Sequence, residues 1–205
     1  MSLLSFAEDV WDVVKSVVVT GAAAAVNPAC GAGVTAFAGS EARMAFADTD
    51  PPRSLTPEEI AICAQILTLG GHVSVKLNKV SLYTGASLGW LPGSKDGLTL
   101  NYDVYLKTTD FSVCNWRHMK LLIHELVHVD QYETLGALEF ACVYGTLIAA
   151  DFDSNNELEI EADRVEEGFL PQLQEACRAA CAARPGSGIP ETDATPSDWF
   201  WVVWS

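Results

Sequence analysis

The sequence predicts an α+β fold that is mostly helical, with a small sheet ahead of a long central helix. Three observations lead there. Apolar residues recur at three- and four-residue spacings along most of the chain, as in helices with one buried face. Two short runs, 73–80 and 98–106, alternate at period two as strands do. The runs follow one another, so the coarse order is helix, strand, strand, helix, helix, helix, with a helical preface and an aromatic tail.

Each element has a local reason. Residues 3–18 place Leu3, Phe6, Val10, Val13, Val14 and Val17 on one face and Glu8, Asp12 and Lys15 on the other, predicting a core-docking amphipathic helix. The Ala/Gly-rich stretch from Gly21 to Ser40 predicts two short helices around Asn27-Pro28, and Asp48 to Arg53, with Pro51-Pro52, a linker. Thr56-Pro57-Glu58-Glu59 starts a helix: Thr as N-cap, Pro at the first position, Glu at the third. That helix runs to about Leu69 and stops at Gly70-Gly71. Val73, Val75 and Leu77 predict a strand over 73–80. Leu98, Leu100, Tyr102, Val104 and Leu106 predict a second over 98–106, with a glycine-rich loop or hairpin from Gly85 to Gly97 between them. Helices follow over about 115–133, 135–149 and 157–183, the last bending near Gly168 or Pro171. A Pro/Gly/Ser-rich spacer then leads to DWFWVVWS, an apolar cluster expected to pack on the protein's own core, with the N-terminal helix as its natural partner.

Composition narrows the function. The 205 residues suffice for one domain with extensions, and 49% hydrophobic against 19% charged excludes wholesale disorder. Acids outnumber bases 27 to 12, for a net charge of −15. Nucleic acid and anionic membrane surfaces need clustered positive charge, so neither is an expected partner. The N-terminus carries acids where a signal peptide carries bases, so the expectation is a soluble chain, cytoplasmic or exported by a route without a signal peptide. The uncharged run Ser16 to Ser40 could span a bilayer by count, but its glycines, Asn27 and Pro28 predict a buried or loop-broken helical region instead. Six cysteines, at 30, 63, 114, 142, 177 and 181, contain no CxxC pair, which excludes a zinc ribbon or thioredoxin motif. Cys177 and Cys181 lie one helical turn apart, a poor geometry for a disulfide, and buried free thiols are expected.

The chemistry centres on His124-Glu125-Leu126-Val127-His128. With four His and 14 Glu in the chain, roughly 0.005 HExxH strings are expected by chance. Residues four apart differ by about 40° around a helix, so both imidazoles project from one face. Two nitrogens on one tetrahedral zinc must lie ~3.3 Å apart, which that spacing can reach. Glu125 is rotated by about 100° from His124, beside a metal rather than on it, where it can hold a water. Gln131 and Thr134 stand where HExxHxxGxxH needs Gly and His, and His128 is the last histidine, so the third ligand is expected to be an acid from a distant segment. Glu157-Leu158-Glu159-Ile160-Glu161-Ala162-Asp163-Arg164 is the best source. Its apolar stripe is Leu158, Ala162, Val165 and Phe169. Glu159, Asp163 and Glu166 flank that stripe on one side, Glu157 and Glu161 on the other. Three acids on one half-buried flank repel unless a cation lies nearby. Glu159 can ligate while Asp163 accepts a hydrogen bond from a ligand histidine; Glu161 is the rival ligand.

HELVHVDQ followed by ELEIEADR resembles the gluzincin metallopeptidases, in which a HExxH helix is joined by a glutamate from a later ExxxD-type helix. EIEADR resembles the membrane-bound CAAX-processing and heat-shock peptidases in particular. The stretch from SLTPEEIAICAQIL through HELVHVDQY is similar to small uncharacterised bacterial zincin-like proteins, some associated with contractile injection systems. The resemblance covers residues ~54–175 and leaves 1–50 and 184–205 unmatched. It implies a zincin-like metallopeptidase core over 51–183 with its small sheet preceding the metal-binding helix, and the residue patterns on either side add a helical N-terminal extension over 1–50 and an aromatic C-terminal tail over 184–205. By it, His124, His128 and Glu159 match the ligands of one zinc per chain, Glu125 the general base and Asp163 the supporting carboxylate. The implied activity is peptide-bond hydrolysis, endopeptidase rather than exopeptidase, on a peptide or protein substrate aligned by an edge strand. Such enzymes add a Tyr or His that stabilises the oxyanion; spacing does not choose among Tyr83, Tyr102, Tyr105, Tyr132, Tyr144, His72 and His118. The competing reading is a catalytically silent zincin-like scaffold used for protein binding or in a secretion or injection apparatus. An intact Glu125 favours retained chemistry, since binding alone needs only the ligands.

Overall fold

The computed structural model describes residues 28–44, 47, 49–89, 91, 95–150 and 156–183. The helix expected at 3–18, the first half of the uncharged run and the aromatic tail lie outside the described residues. Among those described, six α-helices and a four-stranded sheet make an α+β fold dominated by helix. In chain order they are α1 (Pro28–Met44), β1 (Arg53–Ser54), α2 (Pro57–Gly70), β2 (Ser81–Tyr83), β3 (Gly97–Leu100), β4 (Asp103–Leu106), α3 (Trp116–Leu135), α4 (Ala137–Ala150), α5 (Glu157–Gly168) and α6 (Leu170–Ala182). None of the described helices is long and apolar enough to cross a membrane.

α2 begins as its sequence dictates. The Thr56 hydroxyl accepts from the Glu59 N–H, and the Glu59 carboxylate accepts from the Thr56 N–H in return. Burial raises the Glu59 pKa, but two hydrogen bonds from Arg53 and those from Thr56 outweigh it and hold the carboxyl below its ordinary range. α2 ends where Gly71 turns left-handed at φ 92° and donates back to Leu67 and Thr68.

Two strand expectations change. Residues 73–80 form turns and a short 3-10 helix, Leu77–Lys79, and the strand itself starts at Ser81. Of the alternating residues, Val73 is 74% exposed and Val75 half-buried, and Leu77 reaches the core from the 3-10 turn rather than from a pleated strand. Residues 98–106 are a hairpin, not one strand: the chain reverses at Asn101 (φ 60°) and Tyr102, pairing Leu100 with Asp103 and Gly97 with Leu106. The sheet order is β1-β2-β4-β3, with β2 and β4 parallel and the outer pairs antiparallel, so β3 is an edge strand.

α3 runs through the middle of the molecule. Met119, Leu122, Ile123, Leu126, Val127 and Val129 are fully buried, packed with Ile66 and Leu67 of α2, Leu82, Val104 and Leu106 of the sheet, and Ala162 and Val165 of α5. The helical segment expected over 157–183 is interrupted at Phe169, with Pro171 in the first turn of α6. α1 packs along α4 and places Phe37 against Tyr132. The expectation of free thiols holds only in part: Cys30 bridges to Cys142 and Cys114 to Cys181, while Cys63 and Cys177 are buried and free. The bridges join residues 112 and 67 apart, a pairing that local spacing does not reveal.

Candidate metal centre

α3 carries both histidines, and α5 crosses it with its acidic flank turned inward. His124 Nε2 lies 3.4 Å from Glu159 Oε2, and His128 Nε2 lies 3.3 Å from Glu159 Oε1. Glu161 stands aside, bonded to the Gln131 amide. Each imidazole is also held from behind. His124 Nδ1 sits 3.3 Å from Asp163 Oδ1 and 3.5 Å from Glu166 Oε2. His128 Nδ1 sits 2.8 Å from Gln131 Oε1.

The Gln131 amide settles a tautomer. Its Nε2 donates to the Leu158 carbonyl (3.0 Å) and to Glu161 Oε2 (2.9 Å), so its oxygen must face His128. His128 Nδ1 therefore carries the proton, and in the neutral ring the Nε2 lone pair points at a carboxylate oxygen. That oxygen already accepts from the Tyr144 hydroxyl at 2.8 Å. Opposed acceptors at this range call for a cation between them, and ~3.3 Å is the separation of two ligands on tetrahedral zinc. His124 repeats the pattern, its Nδ1 facing two carboxylates and its Nε2 facing Glu159. The donor set of two imidazoles and one carboxylate, each with a supporting partner, thus fits a zinc ion. A second set, His124 with Asp163 and Glu166, also lies within metal-binding range, but it shares His124, and Glu166 pairs with Lys120 at 3.2 Å.

Without a metal, protons take up the charge. Burial lowers the His124 pKa, yet hydrogen bonds to Asp163, Glu159 and Glu166 outweigh burial and push it up to about 12. Burial raises Glu159, but the two histidines and the Lys95 ammonium, 3.6 Å away, hold it well below the ordinary carboxylate range.

Glu125 is buried beside this cluster, near enough for its charge to act on His124. The Thr99 hydroxyl of β3 lies 2.7 Å from Glu125 Oε2 and 3.0 Å from its carbonyl oxygen, sharing one proton between them. Gly97, also on β3, leaves the room: a Cβ there would meet Glu125 Oε1 at 2.2 Å. Of the aromatic and histidine candidates for stabilising an oxyanion, Tyr144 reaches a ligand residue. His72 instead bonds Asp130, His118 accepts from the Ser112 N–H, Tyr102 donates to Glu133, Tyr83 stacks on Tyr105, and Tyr132 packs on Phe140.

Gly97, Thr99, Gln131 and Lys95 were not singled out from the sequence. Gln131 had a signal, three residues after His128 and so on the same helix face. The others reach the site across the fold, with no local pattern to mark them. Comparison of the chain with protein-family models, with curated proteins and with solved structures finds no match.

Proposed function

We propose that the protein is a zinc-dependent peptidase, with His124, His128 and Glu159 holding one zinc and Glu125 acting as general base. The observation that carries this reading is the convergence of His124 Nε2 and His128 Nε2 on the two oxygens of the Glu159 carboxylate, with the Glu125 carboxylate held alongside by edge strand β3. A zinc ion bound there would acidify water and polarise a peptide carbonyl. Glu125 takes the proton from the attacking water as the C–O bond forms, and passes it to the amide nitrogen as the C–N bond breaks. Thr99 and Gly97 fix the carboxylate for that transfer. The Tyr144 hydroxyl is the donor nearest the ligands and is assigned to the carbonyl oxygen as its charge develops. β3 has no strand on its outer side among the described residues, and a substrate backbone can pair there.

Metal analysis of the purified protein, paired with hydrolysis of dye-labelled casein by wild type and Glu125→Ala, tests this. The expected result is one zinc per chain in both proteins and hydrolysis by the wild type alone. A protein that takes up no zinc, or a Glu125→Ala variant that hydrolyses at the wild-type rate, would falsify the assignment. Zinc uptake with no hydrolysis of casein or of any peptide in a broad set would favour the silent scaffold.

A further inference from the structure

A cleft of about 480 Å³ opens beside His124, on the side toward the start of α3. Glu166 lines it and joins it to the metal centre, with one oxygen 3.5 Å from His124 Nδ1 and the other 3.2 Å from Lys120 Nζ. Asp96, one residue before β3, also lines it, so the cleft lies next to the end of the edge strand at Gly97.

The charge of this cleft runs against that of the chain. Lys107, Arg117 and Lys120, three of only 12 basic residues, line it together in a protein of net charge −15. Lys120 is committed to Glu166 and Glu167. Lys107 meets Asp96 at 3.2 Å, but both side chains are more than half exposed, where an ion pair contributes little. Among the described residues, no carboxylate lies in ion-pair range of Arg117. Its guanidinium instead stacks on the Trp116 ring at 4.5 Å, which orients the planar fork and leaves its N–H groups for a ligand. A cation fork over an aromatic ring, backed by a weakly paired lysine, is suited to binding a carboxylate in bidentate fashion.

We propose that this cleft selects the substrate: it receives a carboxylate of the bound peptide close to the scissile bond, held by Arg117 and Lys107. The proposal rests on the peptidase reading for its orientation along β3, but its test does not depend on turnover. The carboxylate is either an acidic side chain or the free C-terminus.

The experiment measures binding of fluorescein-labelled octapeptides to the full-length, zinc-loaded Glu125→Gln variant by anisotropy. Glu, Gln and Lys are placed in turn at each position, and every peptide is made as both C-terminal acid and amide. One position is expected to bind Glu about tenfold more tightly than Gln, with the gap narrowing as salt is raised. Adding Arg117→Gln and Lys107→Gln together should bring the ratio near one, while Arg178→Gln, an exposed cation on α6, should leave it alone. If the C-terminus is the recognised group, the gap appears between acid and amide whatever the side chains. Equal binding of all charge variants, no binding at all, or a preference that survives loss of Arg117 and Lys107 would overturn the cleft assignment. Hydrolysis by the wild type without any charge preference removes the cleft assignment alone. A charge preference in binding, with no hydrolysis of the same peptides by the wild type, leaves the cleft and removes the peptidase reading.

Discussion

Replacing Gly97 with alanine separates the position of the base from the integrity of the fold. The added Cβ would stand 2.2 Å from Glu125 Oε1, 2.8 Å from its Cδ and 3.0 Å from its Cγ. Carbon does not approach oxygen that closely, so the carboxylate must retreat by roughly 1 Å. What yields is the end of a flexible side chain, not backbone, and Gly97 is not among the positive-φ glycines, so alanine brings no backbone strain. The folding cost should therefore fall at or below the ~1–3 kcal/mol of ordinary overpacking. It is offset in part by the ~0.4–1 kcal/mol that alanine gains over glycine through the unfolded chain. Catalysis is less forgiving: a displacement of ~1 Å costs on the order of 100-fold, or ~2.7 kcal/mol of barrier. The expected outcome is a kcat/KM lowered about 100-fold, zinc content unchanged and a melting temperature close to wild type. A Glu125→Ala background supplies the control for the fold: the three atoms closest to the new Cβ are gone there, so Gly97→Ala should not lower its melting temperature. Wild-type hydrolysis by Gly97→Ala, or a melting temperature lowered by Gly97→Ala in the Glu125→Ala background, would refute the reasoning.

Three other outcomes follow from the same geometry. Gln131→Leu removes the acceptor behind His128 and should weaken zinc binding about 10–100-fold in a chelator competition, without changing the stoichiometry. In the metal-free protein, His124 is raised above its unfolded value of 6.5, so its stabilising effect is complete below that pH and is lost as pH rises toward 12; Glu159 is lowered, so its effect is complete above the ordinary carboxylate range and is lost on acidification. Thermal melts should therefore show metal-free protein losing stability between about pH 6.5 and 9, a decline that zinc abolishes by displacing the proton; a flat or rising profile contradicts this. Replacing Cys114 and Cys181 together by serine should cost about 2–4 kcal/mol in urea unfolding, with Cys63→Ser as a comparison that breaks no bridge.

Local patterns carried much of the structure. The capping box of α2 and the left-handed stop at Gly71 are written in consecutive residues, and both form. The histidine pair needs only helical geometry to share a face, and the flank of Glu159, Asp163 and Glu166 needs only the stripe of Ala162 and Val165 to turn inward. All three acids do meet His124. What escaped depended on chain reversal or distance. A turn at Asn101 and Tyr102 replaced the alternation of 98–106 with a hairpin, because a period-two pattern cannot show where its own chain folds back. The approach of Gly97 to Glu125 joins residues 28 apart on different elements, and the Cys30–Cys142 bridge joins residues 112 apart. Such contacts arise from the packing of whole elements, and composition at either end does not announce them.

Gly97 and Thr99 belong to the edge strand of the sheet, and the same two residues aim Glu125. Under the proposed function, a peptide seated along that edge grips the very backbone that positions the base. A chain lodged one residue out of step presents the opposite pleat and tugs that backbone differently. Correct seating and readiness to take a proton are then a single commitment, made by one short strand. The protein would carry a crude proofreading step against passing chains, built into the strand that seats them.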